Sequence, residues 1–135
     1  MSTLLATVSF TVPGPPVPWQ RVIPVHRFGK RISVVPARTR AYERCVATAG
    51  MSARMTFAFH EVEPWPYTHA QSYRLSCCFY RGANRGDLSN FIKAIEDGLN
   101  SVLWPDDRAV RSYGPMSMPV DRANPRADVT VEAFA

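Results

Sequence analysis

Two segments of this chain alternate apolar and polar residues, and this alternation constrains the fold more than any other feature. The first covers residues 4–12 (LLATVSFTV) and the second covers residues 73–80 (YRLSCCFY). A period of two places every second side chain on the same face of a strand, so each segment supplies one apolar face to a core. Further strands are predicted at 110–118 and, again by alternation, around 129–133. Together they indicate a half-buried β-sheet.

Two helices are predicted between these strands. The first is expected to begin near Thr39, and Gly50 marks its possible end or a weak point within it. Within it, intervals of three and four residues, which are typical of one face of a helix, separate Tyr42, Cys45 or Val46, and Ala49. The second helix is expected over residues 88–102. Between the first strand and the first helix, the density of prolines and basic residues predicts a loop with one short strand near residues 32–35.

The order strand, helix, strand, helix, strand, strand predicts an α+β fold, a mixed β-sheet with two main helices packed on it. A chain of 135 residues suffices for one small domain, residues 1–135, and is too short for two ordinary ones. Hydrophobic residues make up 46%, which is typical of a globular protein and not of a disordered one.

The sequence does not predict a membrane protein. No apolar run approaches the ~20 residues that a membrane-spanning helix needs. The alternating N-terminus favours a strand over a signal peptide. The three cysteines show neither a disulfide framework nor a zinc spacing, so a cytoplasmic protein is expected.

Positive charge is concentrated in the first half of the chain. The net charge is +5, yet residues 1–60 hold eight basic side chains and a single acid, Glu43. Arginine binds phosphate through paired hydrogen bonds, so an arginine-rich half suits a nucleic-acid surface. A soluble protein from a genome with high arginine usage would show the same balance, and charge alone leaves both interpretations open.

Residues 86–110 (GDLSNFIKAIEDGLNSVLWPDDRAV) hold five of the eleven acids. At about 100° per residue, the apolar side chains of the predicted helix form one stripe. The opposite side presents Asn90, Lys93 and Asp97. Asp87 lies just before the helix, and the pair Asp106 and Asp107 follows it. A returning strand could bring this pair back toward the start of the helix.

Carboxylates, an amide and a lysine beside a basic surface suit the hydrolysis of a phosphodiester. Magnesium takes hard oxygen ligands and retains several waters, so one or two carboxylates and a substrate phosphate suffice. Such an ion lowers the pKa of a bound water and stabilises the charge that builds on the phosphate. A lysine can share that charge.

Each of these residues also has a simpler interpretation. Asp87 or Ser89 could cap the helix. Lys93 and Asp97 could form a solvated i, i+4 pair, and residues 105–107 could be an ordinary turn. A tryptophan before a turn, Trp104, belongs more often to a core than to a base-stacking platform. It is the combined spacing that favours a catalytic site.

The spacing resembles the RusA family of Holliday junction resolvases, small homodimeric, magnesium-dependent endonucleases of bacteria and their phages. The family pattern Asp-x-Asp-Asn-x-x-Lys corresponds to residues 87–93 (DLSNFIK). Its helix end, Asp-x-Leu-Asn, corresponds to residues 97–100, and Asp-Asp-x-x-Val to residues 106–110. Two upstream segments, residues 16–21 (PVPWQR) and 36–43 (PARTRAYE), are similar to further family segments. The resemblance covers roughly residues 8–134.

This resemblance implies a role for each matching residue. The expected catalytic residues are Asp87, Lys93 and Asp107. The expected ligands of Mg²⁺, with Mn²⁺ as a second possibility, are Asp87, Asp107 and Asp106. The expected supporting residues are Ser89, Asn90, Asp97 and Asp106. We expect contacts to DNA phosphates, without base reading, from Arg21, Arg27, Lys30, Arg31, Arg38 and Arg40.

The implied function is the cleavage of Holliday junctions or related branched DNA in recombination and repair. Two nicks in opposing strands need two matched sites, which predicts a homodimer on the twofold junction. The family usually has a second aspartate where this chain has Ser89. One alternative is therefore a module that binds branched DNA and cleaves it poorly. Another is a structural or partner-binding protein whose acids only cap and solvate a helix.

Overall fold

The computed structural model describes residues 2–135 and contains every predicted strand and helix, together with one strand that was not predicted. The strands are β1 (Leu4–Pro13), β2 (Ile23–Arg27), β3 (Lys30–Val34), β4 (Ser72–Tyr80), β5 (Val110–Ser117) and β6 (Arg126–Phe134). The helices are α1 (Ala37–Glu61) and α2 (Leu88–Leu99), and a short 3₁₀ helix covers Asp107–Ala109. This is the predicted α+β fold.

Four strands form the main sheet in the order β1-β6-β4-β5. Both neighbours of β6 run antiparallel to it, whereas β5 runs parallel to β4, so the sheet is mixed as predicted. The alternation of β4 is confirmed, because Tyr73, Leu75, Cys77 and Phe79 are all buried. The opposite face is polar, with the Ser9 and Thr130 hydroxyls 2.9 Å apart across β1 and β6.

The two helices cover the apolar face of the sheet. Helix α1 packs against β1 and α2, and the core contains Val46 from α1 together with Ile95 and Leu99 from α2. The predicted apolar stripe of α2 is therefore the one that is buried. None of the helices in the described part of the chain has both the length and the apolar character needed to cross a membrane.

Of the two possibilities for Gly50, an end of the first helix is excluded, because α1 continues to Glu61. Gly50 is buried, and a methyl group there would lie 2.5 Å from the Leu99 side chain and 3.2 Å from that of Val102. The glycine thus allows α2 and the segment after it to approach α1 closely. Gly50 therefore permits close packing of the helices and does not terminate α1.

Two other boundaries differ from the prediction. Helix α2 ends at Leu99 and not at Val102, because the Leu99 carbonyl accepts from the amides of both Val102 and Leu103 and closes the helix in a turn. Residues 23–27 were expected to be loop, but they form β2 and pair with β3 in a separate two-stranded hairpin.

Buried aromatic side chains hold the turn that follows α2. Trp104 is fully buried, and its indole N–H donates to the Asn100 Oδ1 over 2.8 Å. Trp65 donates to the Leu103 carbonyl, also over 2.8 Å. The core interpretation of Trp104 is thus confirmed, and these bonds fix the position of the Asp106–Asp107 pair that comes next.

Candidate active site and basic surface

Asp87 stands at the N-cap of α2 but does not cap the helix with its side chain. Its backbone carbonyl accepts from the amides of Asn90 and Phe91, whereas its carboxylate makes no capping hydrogen bond and is exposed. Ser89, the second residue of the helix, is exposed as well. The carboxylate of Asp87 is therefore available to a ligand, which the capping interpretation does not explain.

The segment after β1 contacts the polar side of α2. The Trp19 amide donates to the Asn90 carbonyl over 2.9 Å, and the Lys93 ammonium lies 4.8 Å from the centre of the Trp19 ring. Salt bridges within residues 2–135 involve only arginines, so Lys93 is not in an ion pair with Asp97. Lys93 makes a cation–π contact with Trp19, and not the i, i+4 pair of the simpler interpretation.

Three carboxylates, those of Glu43, Glu96 and Asp107, lie close enough to Lys93 and Asp97 to feel the charge of both, and we call these acids together with Asp97 the acidic cluster. Burial raises the pKa of Glu43, and the charge of Asp97 adds to it, while Arg40 and Lys93 oppose the shift. Burial also raises the pKa of Glu96, whose carboxylate accepts from the Tyr113 hydroxyl over 2.9 Å. The cluster holds more negative charge than Lys93 neutralises, which is an environment that favours a cation.

The two acids of the turn differ in their partners. Asp106 caps the 3₁₀ helix by accepting from the Arg108 amide, and its carboxylate lies 3.0 Å from the Arg108 guanidinium. A hydrogen bond between the two carboxyls lowers the pKa of Asp106 and raises that of Asp107, with burial and the charges of Asp106 and Asp97 acting in the same direction on Asp107. The turn interpretation therefore holds for Asp106, while Asp107 interacts with the charges of Asp97 and Lys93.

Asp87 and Asp107 lie at opposite ends of α2. The helix has 12 residues, about 18 Å at 1.5 Å per residue. Because β4 and β5 are parallel, α2 returns the chain to the start of the sheet, where Val110 pairs with Tyr73. The turn is thus not carried back toward the start of the helix, which was the arrangement considered from the sequence.

The donor chemistry fits a hard divalent cation, but the arrangement within one chain does not assemble a complete site. Carboxylate oxygens are the ligands that Mg²⁺ and Mn²⁺ prefer. Among residues 2–135, however, no three His, Cys, Asp or Glu side chains converge on one point as metal ligands would. The charges of Lys93 and Asp97 act on Asp107, whereas Asp87 lies before the opposite end of α2.

The six basic residues expected to contact DNA are all exposed: Arg21, Arg27, Lys30, Arg31, Arg38 and Arg40. Three of them lie on the β2–β3 hairpin, and two lie in the first turn of α1. Arg21 lines a pocket with Trp19 and Asn90, which joins the basic segment to the polar side of α2. Positive charge therefore extends from the hairpin to the candidate site.

A cavity of about 340 Å³ lies between the proline segment and the loop that leads to Asp87. Its basic lining residues are Arg38, Arg81 and Arg85, and its apolar ones include Pro16 and Phe91. The Arg81 Nη1 donates to the Arg85 carbonyl over 3.1 Å, whereas the buried Arg81 Nε has no partner. Sequence reasoning did not assign Arg81 or Arg85 to the basic surface.

Glu43 and Glu96 also escaped the sequence prediction of the site. Glu43 lies on α1, and nothing in the spacing of α2 connects it with Asp97. The upstream family-like segment, residues 36–43, ends on this glutamate and was the signal that could have identified it. Glu96 lies beside the apolar stripe of α2, a position that is typical of an ordinary surface charge. Its contact with the Tyr113 hydroxyl of β5 depends on the tertiary fold and is not visible in the sequence.

A family model described as endodeoxyribonuclease RusA matches residues 13–132, which is nearly the whole chain. A search of curated proteins found no match. The matched region contains the basic hairpin, both helices and the acidic turn.

Proposed function

The chain belongs to the endodeoxyribonuclease RusA family, and from that premise we propose that it is a metal-dependent nuclease that resolves four-way DNA junctions by paired nicks. The observation that carries the proposal is the acidic cluster around Lys93. Crowded carboxylates cost stability unless a bound cation offsets their mutual repulsion, and clusters of this kind are concentrated at functional sites. The cluster does not stabilise the fold, so we infer that it serves a function.

Mg²⁺, or Mn²⁺ in its place, would supply an activated water and stabilise the charge that develops on the phosphate. Asp87 and Asp107 are its proposed ligands, with Asp106 beside them. Asp106 is the weakest of these candidates, because Arg108 already occupies its carboxylate. Ser89 and Asn90 line the same side of α2 and support the site.

A metal ion shared by Asp87 and Asp107 requires two copies of the chain. Ligands of Mg²⁺ lie about 2.1 Å from the ion, whereas the two aspartates flank a helix about 18 Å long. In a twofold dimer, Asp87 of one copy can meet Asp107 of a second copy, and symmetry then creates two identical sites. This supports a homodimer, whose symmetry matches the two nicks that a junction needs.

Lys93 contacts the scissile phosphate in this proposal. The Trp19 ring holds the ammonium on the polar side of α2 while leaving its hydrogen-bond donors free. A positive charge fixed in this way can neutralise the negative charge that accumulates as the phosphodiester is attacked. The exposed arginines and Lys30 grip the backbone on either side, without reading bases.

Mixing two inactive variants tests the shared site. Asp87→Asn and Asp107→Asn protein are mixed, allowed to exchange subunits, and assayed for nicks on a labelled four-way junction with Mg²⁺. If each site uses both copies, a heterodimer has one intact site, and statistical exchange restores about a quarter of the sites. If each site lies within one copy, the mixture stays inactive, and each variant mixed with itself is the control.

Ser89 decides between the nuclease and the poorly cleaving binding module. Its exposed hydroxyl is neutral and cannot replace the charge of the aspartate that the family usually has there. In the nuclease proposal, Ser89→Asp changes the nicking rate of an already active protein. If wild-type protein binds the junction without nicking and Ser89→Asp nicks it, the chain is a binding module in its natural form.

A further inference from the structure

The tip of the β2–β3 hairpin is strained at an aromatic residue. Phe28 and Gly29 form its two-residue turn with φ angles of +53° and +73°. Positive φ at both central positions defines the turn type that strongly prefers Asn-Gly or Asp-Gly. A bulky aromatic side chain is a rare occupant of this conformation, so Phe28 costs the hairpin stability.

The fold gains nothing from this aromatic ring. Phe28 is 101% exposed, the highest value among the exposed large hydrophobic residues of the described chain. The hairpin is also separate from the main sheet, so the ring projects into solvent at the end of a two-stranded ribbon. A strained and fully exposed aromatic side chain at a tip indicates a role in binding.

The strands beside this tip place like charges opposite each other. Arg27 pairs with Lys30, and Arg31 follows Lys30 on the same strand. Like charges directly across an antiparallel pair destabilise it. Within residues 2–135 no carboxylate lies within ion-pair distance of these cations, and Glu43 is the first acid of the chain. A polyanion on the hairpin would relieve this repulsion.

We propose that Phe28 is a wedge that stacks on bases exposed at the branch point of DNA, while Arg27, Lys30 and Arg31 hold the flanking phosphates. The inference rests on the proposed function for its substrate and adds how the branch is recognised. Aromatic side chains stack on bases that are not covered by a neighbouring base pair, and apolar wedges enter DNA between base steps. A lipid surface is disfavoured, because one ring buries too little apolar area for stable anchoring.

The variant Phe28→Asn removes the aromatic ring while preserving the fold of the hairpin. Asparagine suits the turn better than phenylalanine, so the hairpin should persist and the melting temperature should not fall. The probe is a four-way junction with 2-aminopurine at the branch point, titrated in EDTA so that no cleavage occurs. Wild-type protein should raise the fluorescence as bases unstack, whereas Phe28→Asn should lose most of that rise and about fivefold to tenfold in affinity.

Matched variants define the outcome. Phe59→Ala removes another exposed phenylalanine, at the far end of α1, and should leave the fluorescence rise unchanged. Phe28→Trp restores a stacking ring and should restore the rise. An equal rise with Phe28→Asn, or none with wild-type protein bound to the junction, overturns the wedge.

Two further measurements test whether the hairpin tip binds a second copy of the chain or a lipid surface instead of DNA bases. If Phe28→Asn turns a dimer into a monomer in sedimentation, the tip binds a second copy. If it abolishes binding to phosphatidylglycerol vesicles, the tip binds lipid. Either result overturns the wedge. Metal-dependent nicking with no effect of Phe28→Asn on fluorescence contradicts the wedge alone, whereas stacking without nicking contradicts the nuclease alone.

Discussion

Gly98→Ala tests whether the close approach of α1 and α2 builds the acidic cluster. A methyl group at this position would lie 2.7 Å from the Val46 Cβ and 3.1 Å from the Glu43 carbonyl oxygen. Carbon atoms pack at about 3.5–4.0 Å, so the two helices must move apart to accept it. The same contact brings Glu43 next to Asp97, which is why the substitution also affects the candidate site.

The expected loss of stability follows from two opposing contributions. Alanine is favoured over glycine in a helix by about 1 kcal/mol. Overpacking a tight core costs about 1–3 kcal/mol, and here the Val46 Cβ, which is bonded directly to the backbone, cannot rotate away. The net destabilisation is thus about 1 kcal/mol. For a chain of 135 residues this lowers the melting temperature by about 4 °C.

Thermal unfolding followed by circular dichroism measures this change, with Gly82→Ala as the control. A methyl group at Gly82 would touch only Pro125, at an ordinary 3.5 Å, so this variant should melt within about 1 °C of wild type. The reasoning is refuted if Gly98→Ala is as stable as wild type or more so. In that case the helices do not meet as closely at Gly98 as the fold requires.

Three further substitutions probe the site itself. Asp107→Asn should abolish nicking while raising the melting temperature by about 1 °C, because it removes one charge from a crowded and solvent-screened cluster. Burial raises the pKa of Glu96 and so penalises its charged form in the folded protein. Glu96→Gln should therefore be more stable than wild type to urea at pH 7, and this advantage should shrink as the pH falls through the raised pKa and vanish below the ordinary value of 4.5. Trp19→Ala should slow single-turnover nicking by about threefold to fivefold by releasing Lys93, whereas Trp19→Phe should keep most of the rate.

The sequence predicted the sheet and the buried side of α2 because both depend on local periodicity. The alternation of β4 places Leu75 and Phe79 in the core whatever their partners are, and the stripe of α2 does the same for Ile95. The length of α1 was not predictable in this way. Whether Gly50 ends a helix or receives a neighbouring one depends on Leu99, which is distant in sequence.

The candidate site was predicted only where its residues share one helix. Asn90, Lys93 and Asp97 follow from the periodicity of α2, but their neighbours come from other elements. The contact of Trp19 with Lys93 requires the proline segment to reach α2, and the position of Asp107 requires the parallel pairing of β4 with β5. Local patterns carry no information about such pairings.

The hairpin escaped prediction for a different reason. Turn statistics look for Asn-Gly or Asp-Gly between two strands, and this chain has Phe28-Gly29 at that point. Proline and basic residues in the flanking strands weaken the strand signal further. The hairpin was not predicted because Phe28 is an unfavourable residue for its turn. Conflicts between a residue and its local conformation are typical of functional positions.

The most direct test of the account is an endpoint assay with two DNA substrates. Purified protein is incubated with a labelled four-way junction or a matched linear duplex, in Mg²⁺, Mn²⁺ or EDTA, beside Asp107→Asn. The account predicts symmetric nicks in the junction alone, supported by either metal and abolished by EDTA and by the substitution. Equal cutting of the duplex, or junction binding without nicks in either metal, would contradict it.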